Sequence, residues 1–211
     1  MRIVATSDTH TNHKQLKIPD GDVFIHGGDL TRRGELETIE DFANLLKELP
    51  HKRKICIFGN HELGLEYGPN RQRAIDLITN AGADYLEDSG VEIDGKKFWG
   101  SPITPLYHNW AWNRDRGEQI KGHWDKIPLD TNVLITHGPP FSILDRNLYE
   151  MNVGCEELLK KLDDLKNLKL HIFGHIHEAY GIVEKNNVIF ANVCACLYKF
   201  EPTHLPMVID I

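Results

Sequence analysis

Five short apolar runs, each ending directly in side chains able to ligate a metal, constrain this sequence more tightly than anything else in it. The runs are Ile3-Val4-Ala5, Val23-Phe24-Ile25, Ile55-Cys56-Ile57-Phe58, Val133-Leu134-Ile135 and Leu170 to Phe173. They are too short for helices and apolar almost throughout, the pattern of strands buried on both faces. Their carboxyl ends lead into Ser7-Asp8-Thr9-His10, Gly27-Gly28-Asp29, Gly59-Asn60-His61-Glu62, Thr136-His137-Gly138-Pro139 and Gly174-His175-Ile176-His177. Open α/β sheets build their sites at the carboxyl ends of strands. Glycine beside a ligand permits a tight turn and a close backbone approach. A single Asp-x-His or Gly-Asp is an ordinary turn. Five such endings in register point to one shared site.

Between the runs, apolar residues recur at helical spacing: Leu36, Ile39, Phe42, Ala43, Leu46 and Leu49, then Ala74, Ile75, Leu77 and Ile78, then Leu158, Leu159, Leu162 and Leu165. Alternating strand and helix predicts an α/β layered domain. Later segments read as hairpins: Val91 to Ile93 with Phe98-Trp99 around Asp94-Gly95, and Tyr180 to Val183 with Val188 to Val193 around Asn186-Asn187. With a last strand at Met207 to Ile211, part of the sheet is expected to be antiparallel. The 211 residues carry no linker or low-complexity stretch, so one domain over 1–211 is expected.

A net charge of −7 excludes a global basic field for long nucleic acid. No apolar stretch reaches the roughly 20 residues of a membrane span, and no signal segment is seen, so a cytoplasmic protein without membrane attachment is expected. Cys56, Cys155, Cys194 and Cys196 form no pair of CxxC motifs and read as reduced, inert thiols. The donor set is more specific. Carboxylates, an amide oxygen and several imidazoles suit a pair of borderline cations such as Mn, Fe or Zn. They suit neither a calcium cage nor a closed structural zinc site. Asp8 and Asp29 offer too little negative charge to neutralise two such ions, so the site would attract phosphate and acidify a water.

With these residues in place, the sequence resembles the calcineurin-like metallophosphoesterases, all five blocks appearing in order from Asp8 to His177. The resemblance implies a four-layer α/β/β/α sandwich with mixed sheets and a centre of two divalent or trivalent metal ions, Mn first, with Fe, Zn or Co as alternatives. Carried over, Asp8, His10 and His177 would hold one metal, Asn60, His137 and His175 the other, and Asp29 would bridge them. His61 matches the residue taken as the leaving-group acid or transition-state stabiliser when a hydroxide between the metals attacks phosphorus. Gly100-Ser101-Pro102, Asn109-Trp110-Ala111-Trp112-Asn113, Arg116-Gly117, Thr136-His137-Gly138-Pro139-Pro140 and Asn192 look like the small metallophosphoesterase-domain-containing branch, uncharacterised protein family 0046. That branch implies metal-dependent phosphodiesterase activity. One departure stands out: phosphoprotein phosphatases of the superfamily place an Asp where this chain has Arg32, so the carboxylate that orients their catalytic His is missing. Glu35 or Glu62 could substitute.

The expected substrate is a small phosphate ester, with nucleotides and cyclic nucleotides as candidates. The stretch from Tyr107 to Trp124 reads as an aromatic and basic loop over the centre, in which Asn109, Arg114 and Arg116 face the cleft while at least one of Trp110, Trp112 and Trp124 packs the loop down. His13 is placed near the site, His51 and His204 on the surface, and His26 and His171 inside strands. Two other readings stay open: a phosphomonoesterase acting on nucleotides or phosphoproteins, and a weakly active nucleotide-binding regulator.

Overall fold

In the computed structural model, which describes residues 1–197 and 200–211, strand residues sort by alternation onto two faces. One sheet comprises β1 (Arg2–Thr6), β2 (Val23–Gly27), β3 (Arg53–Ile57) and β4 (Asp84–Tyr85), with β13 (Met207–Asp210) on its edge. β1 to β4 run parallel, and β13 returns antiparallel beside β1. The other sheet contains β5 (Ser89–Ile93), β6 (Lys96–Ser101), β9 (Val133–Thr136), β10 (Leu170–Phe173), β11 (Gly181–Lys185) and β12 (Val188–Asn192), in the order β11-β12-β10-β9-β6-β5. Its four central strands are parallel and its two edges antiparallel. A short ribbon joins β7 (Thr104–Pro105) to β8 (Asn113–Arg114).

Ile3, Ala5, Val23, Ile25, Ile55 and Ile57 meet Phe98, Val133, Ile135, Leu170, Ile172 and Ala191 in a core between the sheets. The intervening residues Val4, Phe24, Cys56 and Leu134 point outward to the helical layers. α1 (Leu36–Glu48) lies over the first sheet, its Phe42 ring 5.0 Å from that of His26, with α2 (Arg71–Asn80) packed on it. α4 (Glu156–Leu162) covers the second sheet through Leu159 and Leu162 on Phe173 and Phe190, and α3 (Glu118–Trp124) packs beside it. The order helix, sheet, sheet, helix arises from apolar residues on both faces of every central strand. No helix among the described residues is long and apolar enough to cross a membrane.

Three expectations need correction. The stretch from Tyr107 to Trp124 is not all loop: its second half is α3, which buries Ile120 and Trp124. His51 is buried rather than on the surface, because the turn before β3 lays its ring 5.6 Å from Phe24. His204 is half-buried, stacked on Tyr180 at 3.9 Å.

Candidate metal centre

The strand-end turns are held in unusual backbone conformations. Asp8, His10, Asp29 and His175 have φ of 52°, 41°, 54° and 67°, a region that side chains other than glycine rarely adopt. Such strain persists where the surroundings over-determine it, and it clusters at functional sites. Gly28, at φ 98°, completes the turn after β2, where a Cβ would fall 2.6 Å from His137 Nδ1.

Asp29 sits in the middle. Its Oδ1 lies 3.2 Å from His137 Nε2, and its Oδ2 faces His10 Nε2 at 4.0 Å and His61 Nε2 at 3.9 Å. On one side, Asp8 Oδ1 is 3.3 Å from His177 Nε2, which is 3.2 Å from His10 Nε2. On the other, His137 Nε2 is 2.9 Å from Asn60 Oδ1, and His175 offers a ring nitrogen within 4.8 Å of donor atoms of Asp29 and His137. All seven side chains expected as ligands therefore converge on one place.

The hydrogen-bond partners of these rings indicate what the donors fit. His10 Nδ1 faces the carbonyl of Thr31 at 3.2 Å, and His137 Nδ1 faces that of Gly27 at 3.0 Å. A carbonyl only accepts, so in the neutral rings each Nδ1 carries the proton and each Nε2 presents a lone pair. Those lone pairs aim at the oxygens of Asn60 and Asp29 and at the His177 ring. Acceptors buried against acceptors repel unless a cation lies between them. Without a metal, a proton takes that place: burial pulls His137 down, but Asp29 and Asp8 hold it up at about 10. Burial also opposes ionisation of Asp8, yet His177 and His137 hold its carboxyl well below the usual range. His10 and His175 are lowered by burial to about 4 and about 3, so both rings stay neutral and able to coordinate.

The supporting roles of several residues were not legible in the sequence. Glu62 is wholly buried and accepts from the amides of Gly59 (2.6 Å), Thr31 (2.8 Å) and Asp29 (3.2 Å), tying the turn after β2 to the turn after β3. Cys194, whose thiol burial and Asp8 push well above its usual range, stays protonated and donates to Asp8 Oδ2 at 3.1 Å. Asn192 donates to the carbonyl of Ile176, between His175 and His177, at 2.9 Å. Only the glycines and the Glu beside His61 hinted at such a scaffold.

With Arg32 in place of a carboxylate, the main chain takes over the orienting role. His61 Nδ1 lies 3.0 Å from the Arg32 carbonyl oxygen, which fixes the ring and leaves Nε2 facing the centre. Neither Glu62 nor Glu35 substitutes: Glu62 is spent on amides, and Glu35 accepts from the amides of Arg32 and Arg33. His10, Trp110 and Phe200 wall the His61 ring, with centroids at 4.5, 4.4 and 5.6 Å. Trp112 and Trp124 are buried packing residues. Arg114 pairs with Glu66 at 2.6 Å, holding the β7–β8 ribbon rather than facing the cleft. Arg116 pairs with Glu156 but borders the cleft, and Asn109 is exposed at the loop tip. His13 is buried against Asp41 of α1 at 3.1 Å.

A family model for calcineurin-like phosphoesterase matches residues 1–179. The chain is a calcineurin-like phosphoesterase. It is therefore a metal-dependent hydrolase of phosphoesters, and its family implies a dinuclear divalent centre. This calcineurin-like phosphoesterase is 36% identical over 232 residues to metallophosphoesterase domain-containing protein 1 of Homo sapiens, covering 100% of this chain and 71% of the relative. It is 38% identical over 206 residues to a UPF0046 protein of Caenorhabditis elegans, covering 93% of this chain and 70% of the relative. A 3',5'-cyclic-nucleotide phosphodiesterase of Nostoc sp. is 22% identical over 191 residues, covering 87% of this chain and 65% of the relative.

Proposed function

We propose that this calcineurin-like phosphoesterase hydrolyses phosphodiesters, with Asp8, His10 and His177 holding one metal ion, Asn60, His137 and His175 the other, and Asp29 shared between them. The observation that carries the diester reading is the state of the basic loop. Arg114 and Arg116 are both spent in ion pairs, with Glu66 and Glu156, so that loop offers no free counter-ion for the second charge of a monoester. The name of the Nostoc relative supports the same reading.

Bound there, two cations supply positive charge to the phosphate and lower the pKa of a water. Manganese is the expected metal, although the same donors accept Fe, Zn or Co. The remaining chemistry belongs to side chains. Water adds its oxygen to phosphorus, the bond to one ester oxygen breaks, and that oxygen must take up a proton to leave as an alcohol. His61 is the donor in this reading. Its Nδ1–H is committed to the Arg32 carbonyl, so the acid in this reading is the doubly protonated ring, which gives the Nε2 proton facing the centre to the departing oxygen and keeps the Nδ1 proton. Four buried free thiols fit a reducing, cytoplasmic setting, and residues 1–211 are taken as one domain.

A phosphomonoesterase is favoured by one observation, the Arg32 guanidinium 5.4 Å from the Phe200 ring beside His10. Manganese-loaded protein assayed on bis-p-nitrophenyl phosphate and p-nitrophenyl phosphate separates the two. The diester should be preferred at least tenfold in kcat/KM, and a reversed preference would refute the proposal.

A further inference from the structure

A cleft of about 370 Å³ opens directly from the candidate metal centre, with His175 and His177 in its wall. The size is that of a small-ligand site. Its other walls come from two loops far apart in sequence. Leu106 and Tyr107 come just after β7, and Leu148 and Tyr149 lie between β9 and α4. All four are exposed, Tyr149 at 80%. Large apolar side chains from separate loops that remain exposed around one cavity mark a surface kept for a ligand.

The charges at the rim narrow what that ligand is. Among the described residues lining the cleft, Arg116 is the only Lys or Arg. Its guanidinium is already taken by Glu156 and by the carbonyls of Val153 and Gly154 at 2.8 Å. Glu178, also in the lining and exposed, adds negative charge. Away from the metal donors, the described lining is thus mostly apolar, with Asn147 and Glu178 as its polar groups beside the committed Arg116, and holds no free cation. A second phosphate or a carboxylate would be desolvated there without a partner. A neutral ring or alkyl chain would gain from the Tyr and Leu side chains.

Resting on the diester reading above, we propose that this cleft receives the ester group retained after hydrolysis and selects an uncharged, apolar one. The preferred substrate class is then a monoanionic phosphodiester with one aryl or alkyl ester group. His61, which protonates the departing alcohol in that reading, is not among the described residues lining the cleft; it stands beside His10 and Trp110.

The test is a set of diesters that share p-nitrophenol as the leaving group and differ in the retained group: methyl, phenyl or 4-carboxyphenyl. Phenyl should exceed methyl by about tenfold or more in kcat/KM, mainly through KM, and 4-carboxyphenyl should fall below phenyl by a similar factor. Calorimetry should show phenylphosphonate binding about tenfold more tightly than methylphosphonate. Tyr149→Ser should bring the phenyl-to-methyl ratio down towards one, whereas Tyr149→Phe should keep it. Because Tyr149 is exposed, both variants should unfold at the wild-type temperature. A wild-type ratio near one, or a 4-carboxyphenyl ester as good as the phenyl ester, overturns the inference while leaving the diester reading standing. Turnover of p-nitrophenyl phosphate with no diester cleaved refutes the diester reading itself, and the inference with it.

Discussion

Replacing Gly28 by alanine should damage the metal centre through one methyl group. In the present backbone that methyl would sit 2.6 Å from His137 Nδ1 and 2.6 Å from the carbonyl oxygen of Phe58. The oxygen belongs to the main chain at the end of β3 and cannot swing aside, so the imidazole must give way. It would then lose its 3.0 Å hydrogen bond to the Gly27 carbonyl, which sets its tautomer. Two costs add. An alanine at φ 98° carries roughly 1–2 kcal/mol of backbone strain, and overpacking adds about 1–3 kcal/mol. For a chain of this size each kcal/mol lowers Tm by roughly 2–4 °C, so a fall of about 4–20 °C is expected. Displacing His137 from the Gly27 carbonyl should also weaken metal binding about 10- to 100-fold. Gly82→Ala is the matched control: its φ is 83°, but nothing lies within 4 Å of the added methyl. It should cost only the strain, with metal affinity unchanged. Calorimetric melting of the metal-free proteins, with a Mn or Zn competition titration, measures both quantities. If Gly28→Ala matches Gly82→Ala in Tm and in metal affinity, the steric reasoning is wrong.

Other substitutions probe separate parts of the molecule. His61→Ala should cost about 10²–10⁴-fold on a diester with an alkyl leaving group. The loss should be much smaller on a p-nitrophenyl ester, whose anion needs no proton, and equal losses with metal content intact would remove His61 from the role of acid. Asp29→Ala should abolish activity and bring bound metal below two equivalents by elemental analysis, whereas Asp8→Ala should keep one; full occupancy in Asp29→Ala would exclude a shared ligand. Away from the centre, burial opposes ionisation of Asp88, but hydrogen bonds from His123, Lys126 and Ser101 hold its carboxyl down at about 2. That folded-state value lies below the ordinary 3.8, so the stability it contributes is present above about pH 4 and lost as pH falls through about 2. The Tm difference between wild type and Asp88→Asn should therefore narrow on acidification across that window, and a constant difference would contradict the assignment.

How far the sequence could be read depended on whether a signal was local. The five central strands, α1, α2, α4 and both hairpins were legible because apolar periodicity is a property of adjacent residues. α3 was not, since Trp124 and Ile120 are embedded among basic and aromatic residues that resemble a binding loop. His51 was misplaced because a polar residue in a turn is usually exposed, and only packing against Phe24 buries it. Arg114 was expected in the cleft because its charge was visible in sequence, whereas its partner Glu66, 48 residues away, was not.

The gathering of Asp8, His10, Asp29, Asn60 and His61 at one edge, and of His137, His175 and His177 at another, was already implicit in the order of the residues. Each lies just past a buried strand, and parallel strands bring their carboxyl ends to one edge within each sheet, while the packing of the two sheets joins those edges. How those groups are aimed came from packing alone. The folded chain turns the two oxygens of Asp29 towards different histidines, 3.2 Å from His137 on one side and 4.0 Å from His10 on the other. It places the Arg32 carbonyl, rather than any carboxylate, against His61. It also brings Tyr107 and Tyr149 to one cleft and commits Arg116 to Glu156. The difference is one of range. Strand burial and turn chemistry act between neighbours in sequence, whereas hydrogen-bond direction and charge pairing depend on groups that become neighbours only after the two sheets have packed.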